Sequence, residues 1–479
     1  MDGAFNVYKP EIRRTTLIVE FLLFCGVLLL LLLGYKGVFK LPVQALTGVI
    51  FAAVGASLFF QHISGLPVLW NKRNFILLGV LFWVLLDPLQ MREGIDEFSY
   101  DVIVETLLYV VIFMAMVSLG YFFPPYRKLE RAFSRIQEPR SGRQVFSLII
   151  IVYLIGIAPM LYYSRGSLYL FGEIFFAGYN WNADLGWRRG ALGTGRDYFI
   201  TILQYFLFGG AFLAVWALRR ISLWQWQRII LFLIVVSVLA TIYFCGSRRI
   251  FAFVVIGLLL YLYTAISHKK RRRWRFVFLL APIMLLLLMQ IQMQFRAIGF
   301  YDIDISDIRA IEKRLNYLHR DNNFYWLATA VNVMPEQYSF TREWPFLNFF
   351  IHPVPRFIWP GKPVSEGFPF ISWREEGSSL SISVIGEFYI AQGLLGVIIA
   401  GLVFGWAARN WDQLARIALK GNIYSLIYFM GGVLFFILGV RGISDIYTQW
   451  YSVWFVIGLL YFLGRKEKRL MAAGSNSRQ

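Results

Sequence analysis

Cysteine and histidine are scarce in these 479 residues. The two cysteines, Cys25 and Cys245, lie in or at the end of apolar runs, which argues against both a disulfide framework and a thiolate zinc site. The four histidines, His62, His268, His319 and His352, are too scattered for a metal cluster. There is no Walker loop, no dinucleotide-binding glycine fingerprint and no serine-hydrolase elbow. ATP-driven transport therefore has no motif to rest on. No pair of sequence halves repeats, as the halves of many secondary transporters do. Acidic residues are also few, 28 Asp and Glu against 47 Lys and Arg, for a formal net charge of +19.

What is abundant is apolar surface. The chain is 58% hydrophobic and 18% aromatic, more than a dispersed soluble protein of this length can hide. Apolar runs long enough to cross about 30 Å of hydrocarbon recur along its length. Their limits predict about 12 transmembrane helices, at 16–35, 42–60, 74–90, 102–123, 145–163, 197–218, 229–246, 250–267, 276–294, 384–406, 423–440 and 448–464. The expected fold is an all-α polytopic membrane protein, residues 1–479 forming a single integral membrane domain. Helices are expected because lipid-facing backbone has to satisfy its own hydrogen bonds. No small-residue cleavage site follows the first run, so it reads as a retained helix and not a signal peptide.

The excess of positive charge sets the orientation. With the N-terminus inside, the inward side carries 28 of the 47 Lys and Arg but 6 of the 28 Asp and Glu, in segments such as 126–143, 268–275 and 464–469. Both termini are then cytoplasmic, and the charge is a positive-inside signal that excludes nucleic acid as the expected partner. Two substantial loops fall outside: 164–196 and the large external loop 295–383. The second is too long for a plain connector and is expected to fold into short helices. Residues 302–334 have helical apolar spacing (Ile305, Ile308, Ile311, Leu315) and predict amphipathic helices lying near the interface.

Several external residues carry candidate chemistry. Arg248 and Arg249, in "CGSRRIFAF", sit between two spans with almost no loop. Guanidiniums there either snorkel to lipid head groups or clamp a phosphate. In "HPVPRFIWPGKP", Pro353, Pro355, Pro360 and Pro363 forbid a regular helix. That stiff segment either anchors the chain at the interface or holds Arg356 and Lys362 at a fixed height. Arg374 follows in "SWREEGSS", and Glu387 lies just inside the next span, an intramembrane carboxylate that partners an arginine or does chemistry. Gly386, Gly393 and Gly396 are expected to let helices approach closely. Arg441 and Asp445 occupy the last external loop. His352 and His319 are candidate bases, or plain surface residues.

The motifs "GSRRIFAF", "PVPRFIWPGKP" and "SLSISVIGEFYIAQGLLGV", in that order, resemble those of bacterial oligosaccharide repeat-unit polymerases, the Wzy-type O-antigen polymerases. The likeness spans most of 190–465. Arg356 and Gly367 also match an Arg-x10-Gly spacing of polymerase loops, which loop 164–196 lacks. The resemblance implies a glycosyltransferase-C-like architecture, shared with the O-antigen ligases, in the bacterial inner membrane. It implies glycosyl transfer between undecaprenyl-pyrophosphate-linked oligosaccharides at the outer leaflet, building O-antigen or another surface polysaccharide. The substrate is already activated, so no cofactor is implied. Implied partners are that lipid-linked substrate, membrane lipids and a chain-length-determining co-polymerase. Arg248, Arg249, Arg356 and Arg441, with Lys362 and Arg374, would bind pyrophosphate; Glu387 or His352 would take the hydroxyl proton. An O-antigen ligase and a lipid-linked oligosaccharide flippase are the competing readings.

Overall fold

A computed structural model describes residues 14–64, 68–91, 94–126, 128–134, 141–176, 203–244, 248–266, 273–298, 322–343, 345–351, 354, 358–361, 382–418, 422–443, 446, 453–462 and 464. Among them every regular element is helical. Seven helices are long and apolar enough to cross a membrane: 15–35, 43–63, 100–120, 142–162, 225–244, 248–265 and 383–412. All seven coincide with expected spans. Four of the other five fall short of that length or apolarity: the helix at Phe206–Arg220 has 15 residues, and the apolar stretches at 276–292, 423–438 and 453–462 have 10 to 17. The expected third span is broken into three pieces, Lys72–Val80, a π-helical turn Leu81–Leu85, and Leu86–Leu89.

The chain divides into two compact units. Unit 1 takes residues 1–129, 319–416 and 434–447; unit 2 takes 130–318, 417–433 and 448–479. In unit 1 the helices are α1 (Arg14–Tyr35), α2 (Val43–Ile63), α3 (Lys72–Val80), α4 (Leu86–Leu89), α5 (Tyr100–Gly120), α6 (Asn323–Val333) and α7 (Ser383–Asp412). The core of unit 1 is the pair α5 and α7, which run parallel: Tyr109 meets Tyr389, and Tyr121 meets Asp412. Their backbones nearly touch. A Cβ on Gly405 would lie 2.1 Å from the Val117 carbonyl oxygen, and one on Gly120 2.2 Å from that of Leu402. Gly401 and Gly405 form the small-xxx-small stripe that this approach requires.

The glycines picked out from the sequence serve another end. Gly393, at φ +61, breaks α7 at Gln392–Gly393, and a Cβ there would meet the Phe340 ring at 2.8 Å. The break releases backbone carbonyls, and two of them are taken up: Thr341 N–H donates to Ile390 (3.0 Å) and Arg342 N–H to Ala391 (2.9 Å). Gly386 and Gly396 face side-chain and backbone atoms of their own helix around the break. α6 also departs from expectation. Phe324, Trp326, Leu327, Ala328 and Ala330 are all buried, so it is a packed element and not a helix lying on the membrane surface. Residues 301–321, which carry the rest of that amphipathic pattern, lie outside the described residues.

Two buried carboxylates in unit 1 gather donors from several helices. Glu20 of α1 and Arg73 of α3 are 1% and 0% exposed, and Arg73 Nη2 donates to Glu20 Oε2 at 2.8 Å. Ser57 of α2 and Ser118 of α5 donate to the same carboxylate. Gln61 and Asn74 exchange amide hydrogen bonds of 3.2 and 2.8 Å beside it. Four helices thus converge on one carboxylate. At the C-terminal ends of α5 and α7, the Tyr121 ring lies between the guanidiniums of Arg73 (5.7 Å) and Arg409 (5.3 Å), and its hydroxyl donates to Asp412 at 2.7 Å. Asp412 also accepts the Lys72 backbone N–H at 3.1 Å, capping α3. The Lys72 ammonium sits 4.0 Å from the Phe75 ring centre.

Removing one partner of a buried ion pair leaves the other uncompensated, so Arg73→Met should lower stability in detergent by about 3–5 kcal/mol, and adding Glu20→Leu should recover most of it. Denaturant unfolding of both variants tests this.

Candidate functional site

α7 starts under backbone strain. Ser383 adopts φ +65, a region a non-glycine residue enters at an energetic cost, and is fully buried there. Its hydroxyl accepts the Gly386 N–H at 3.3 Å, while Val384 N–H donates to the Val440 carbonyl at 2.9 Å. These bonds tie the first turn of α7 to the segment that follows the second π-helical turn, Leu434–Leu438.

Glu387 lies one turn further on. Its Oε2 accepts the Ile443 N–H at 2.8 Å. Arg441 stands two residues before Ile443 with its guanidinium 5.8 Å from the Trp83 ring centre, a cation–π contact. Trp83 belongs to the first π-helical turn, Leu81–Leu85, and its carbonyl accepts the Asn323 amide of α6 at 3.1 Å. Asp87 is buried four residues later, 3% exposed. Glu387 therefore meets the backbone of the segment that bears Arg441, 54 positions on in sequence, and the Arg441 guanidinium lies over Trp83, whose carbonyl holds Asn323. Both π-helical turns border this place, and π-turns inside helices are frequent at functional sites.

Arg248 and Arg249 belong to unit 2. They open the helix Arg248–Ala265, three residues after the helix Gln225–Phe244 ends. Both are half-buried. The end of the preceding helix is pinned from the helix Arg275–Ile298: Gln292 donates its amide to the Tyr243 carbonyl at 2.5 Å, and the Tyr243 hydroxyl donates to the Leu288 carbonyl at 3.2 Å. The Tyr243 ring then packs on Phe251, one turn into the arginine-bearing helix, at 5.2 Å. The turn carrying the two arginines is thus gripped on both flanks. His352, Arg356, Lys362 and Arg374 lie outside the described residues, as does Asp445.

Trp83, Asn323 and Asp87 were not singled out from the sequence. Asp87 had a signal: it is an ionisable residue inside an expected span, the same criterion that picks out Glu387. Trp83 and Asn323 had none, because an aromatic in an apolar run and an asparagine in a polar loop are both ordinary.

No protein-family model, curated protein or solved structure matches the chain.

The Glu387 contact gives a direct test. Glu387→Ala leaves the Ile443 amide without its acceptor and should lower stability by about 1–3 kcal/mol, whereas Glu387→Gln keeps a carbonyl oxygen there and should lower it less. Hydrogen exchange of the peptide containing Ile443 should accelerate in the alanine variant and stay near wild type in the glutamine variant.

Proposed function

We propose that this chain polymerises undecaprenyl-pyrophosphate-linked oligosaccharide repeat units at the outer leaflet of a bacterial inner membrane, making O-antigen or a related surface polysaccharide. In this reading it spans the membrane about 12 times, with both termini cytoplasmic and a glycosyltransferase-C-like architecture. The sequence support is the ordered set of Gly-Ser-Arg-Arg, Pro-Arg…Trp-Pro-Gly-Lys-Pro and Ile-Gly-Glu motifs. The observation that carries it structurally is the meeting of Glu387 with the Arg441 segment at the strained start of α7. A carboxylate bonded to the segment that carries a guanidinium suits a reaction that moves a proton and expels a diphosphate.

The chemistry requires little else. A hydroxyl of the incoming repeat unit attacks the reducing-end anomeric carbon of the growing chain. The bond from that carbon to the diphosphate oxygen breaks, and undecaprenyl pyrophosphate leaves with the electron pair. In this reading arginines disperse the charge that builds on the leaving group; the candidates are Arg248, Arg249, Arg356 and Arg441, with Lys362 and Arg374 second. Glu387 or His352 accepts the hydroxyl proton in this reading. A chain-length co-polymerase and the surrounding lipids are its expected partners.

One observation favours a second reading. The buried charges Glu20, Lys72, Arg73 and Asp412 are what a flippase for the same lipid-linked sugar would place between its helices. The two carboxylates are each met by several donors, Glu20 by Arg73, Ser57 and Ser118 and Asp412 by Tyr121 and the Lys72 backbone, which is the arrangement of a structural lock. The polymerase reading is retained for that reason.

Reconstitution of the full chain in liposomes with a purified lipid-linked repeat unit, without nucleotide, decides among the readings. A ladder of longer lipid-linked products is expected. Transfer to a lipid A core acceptor without a ladder would identify a ligase, and movement across the bilayer without new glycosidic bonds a flippase. Arg356→Ala and Arg441→Ala should each cut ladder formation at unchanged protein level, with the lysine replacements intermediate because they lose the bidentate fork.

A further inference from the structure

A second carboxylate at the same end of unit 1 is built differently from the rest. Glu105 lies on the second turn of α5, inside an apolar span. An ionisable group there is a functional candidate by default. Glu20, by contrast, is closed off by Arg73, Ser57 and Ser118. Glu387 is engaged with the Ile443 backbone. Glu105 is half-buried, and the Tyr109 hydroxyl, one turn on, donates to its Oε1 at 2.7 Å. Among the described residues no Lys or Arg forms an ion pair with it.

The surroundings of Glu105 are aromatic. The Tyr109 ring, itself half-buried, lies 4.9 Å from the ring of Tyr389 on α7. Tyr389 is held in place: its hydroxyl donates to the Met334 carbonyl at 3.3 Å, and Phe340 packs edge-on against it at 5.8 Å. Phe340 is the ring seated in the break of α7 at Gly393. Tyr389 is two residues beyond Glu387 on the same helix, so the two clusters share one depth and occupy different faces of α7. One cluster carries a cation, Arg441. The other carries a negative group beside two phenol rings. Phosphate is drawn to the first and repelled by the second. A neutral sugar suits the second, because a carboxylate accepts hydroxyl protons, phenols hydrogen-bond in either sense, and ring faces cover the C–H faces of a pyranose.

We infer that Glu105, with Tyr109 and Tyr389, forms the subsite for the acceptor sugar and that the Glu105 carboxylate takes the proton of the attacking hydroxyl. This rests on the polymerase reading and replaces Glu387 and His352 as the base. The O–H bond of the acceptor breaks as its proton passes to Oε2 of Glu105. The hydroxyl oxygen bonds the anomeric carbon, and the diphosphate departs with the electron pair of the broken C–O bond. The proton then returns to solvent. Tyr109 keeps Oε1 occupied, which directs Oε2 to the sugar, and Glu387 serves to position Arg441.

The test uses the full-length protein in liposomes with the purified lipid-linked repeat unit. Glu105→Gln should slow ladder formation at least a hundredfold while the thermal midpoint and binding of the lipid-linked unit stay near wild type. Glu105→Asp should restore part of the rate, and Glu97→Gln, an exposed control at the same end, should leave it unchanged. A wild-type ladder with Glu105→Gln running at wild-type rate overturns the inference and leaves the polymerase reading standing. No ladder from the wild type overturns both. Loss of the ladder in Glu105→Gln and Glu105→Asp alike, with a lowered thermal midpoint in each, assigns Glu105 to stability and overturns the inference as well.

Discussion

Hydrocarbon offers no water to an unpaired charge, and in unit 1 that constraint resolves into a single carboxylate. Glu20 draws Arg73 from α3, Ser57 from α2 and Ser118 from α5. Each donor is too short or too buried to reach Glu20 from another register, so satisfying the charge fixes how four helices stand against one another. A pair of this kind adds little net stability over an apolar replacement. Its value lies in specifying one arrangement where greasy surfaces alone would tolerate several.

From that point the order passes along α5 and α7. Ser118 precedes Gly120 and Tyr121, and Tyr121 hands its hydroxyl to Asp412 at the end of α7. The glycine stripe at Gly401 and Gly405 then lets the two helices run in contact back to their N-terminal ends. Those ends carry the carboxylates of interest, Glu105 on one helix and Glu387 on the other. The break at Gln392–Gly393 separates the rigid half of α7 from the half bearing Tyr389 and Glu387, and the 341–342 backbone restores the hydrogen bonds the break gives up. A lock at one end thus positions chemistry at the other. Unit 2 repeats the logic locally, with Gln292 and Leu288 holding Tyr243 at the end of the helix that precedes the arginine-bearing one.

In the proposed reaction the division of labour is electrostatic: Arg441 would serve the departing diphosphate, and Glu105 with Tyr109 and Tyr389 the sugar hydroxyl. Neither function tolerates the other's charge, and placing them on separate faces of one helix keeps them close without neutralising them.

Much of this was written in the sequence. Apolar length alone identified the seven long helices, because crossing hydrocarbon demands about 20 apolar residues and leaves an unmistakable run. Glu387 stood out for the same reason in reverse, as a charge where charge is expensive. The tertiary structure decided the rest. That 74–90 is broken by a π-turn, that Phe340 sits in the α7 break, and that Gly401 and Gly405 make the close contact assigned to Gly386, Gly393 and Gly396, all depend on which surfaces meet. The partners of Glu20 lie 37, 53 and 98 residues away, and Arg441 lies 54 from Glu387. Sequence spacing reports neighbours within one helix; it carries no record of which helix faces which, and there the buried charges, through the partners they required, made the choice.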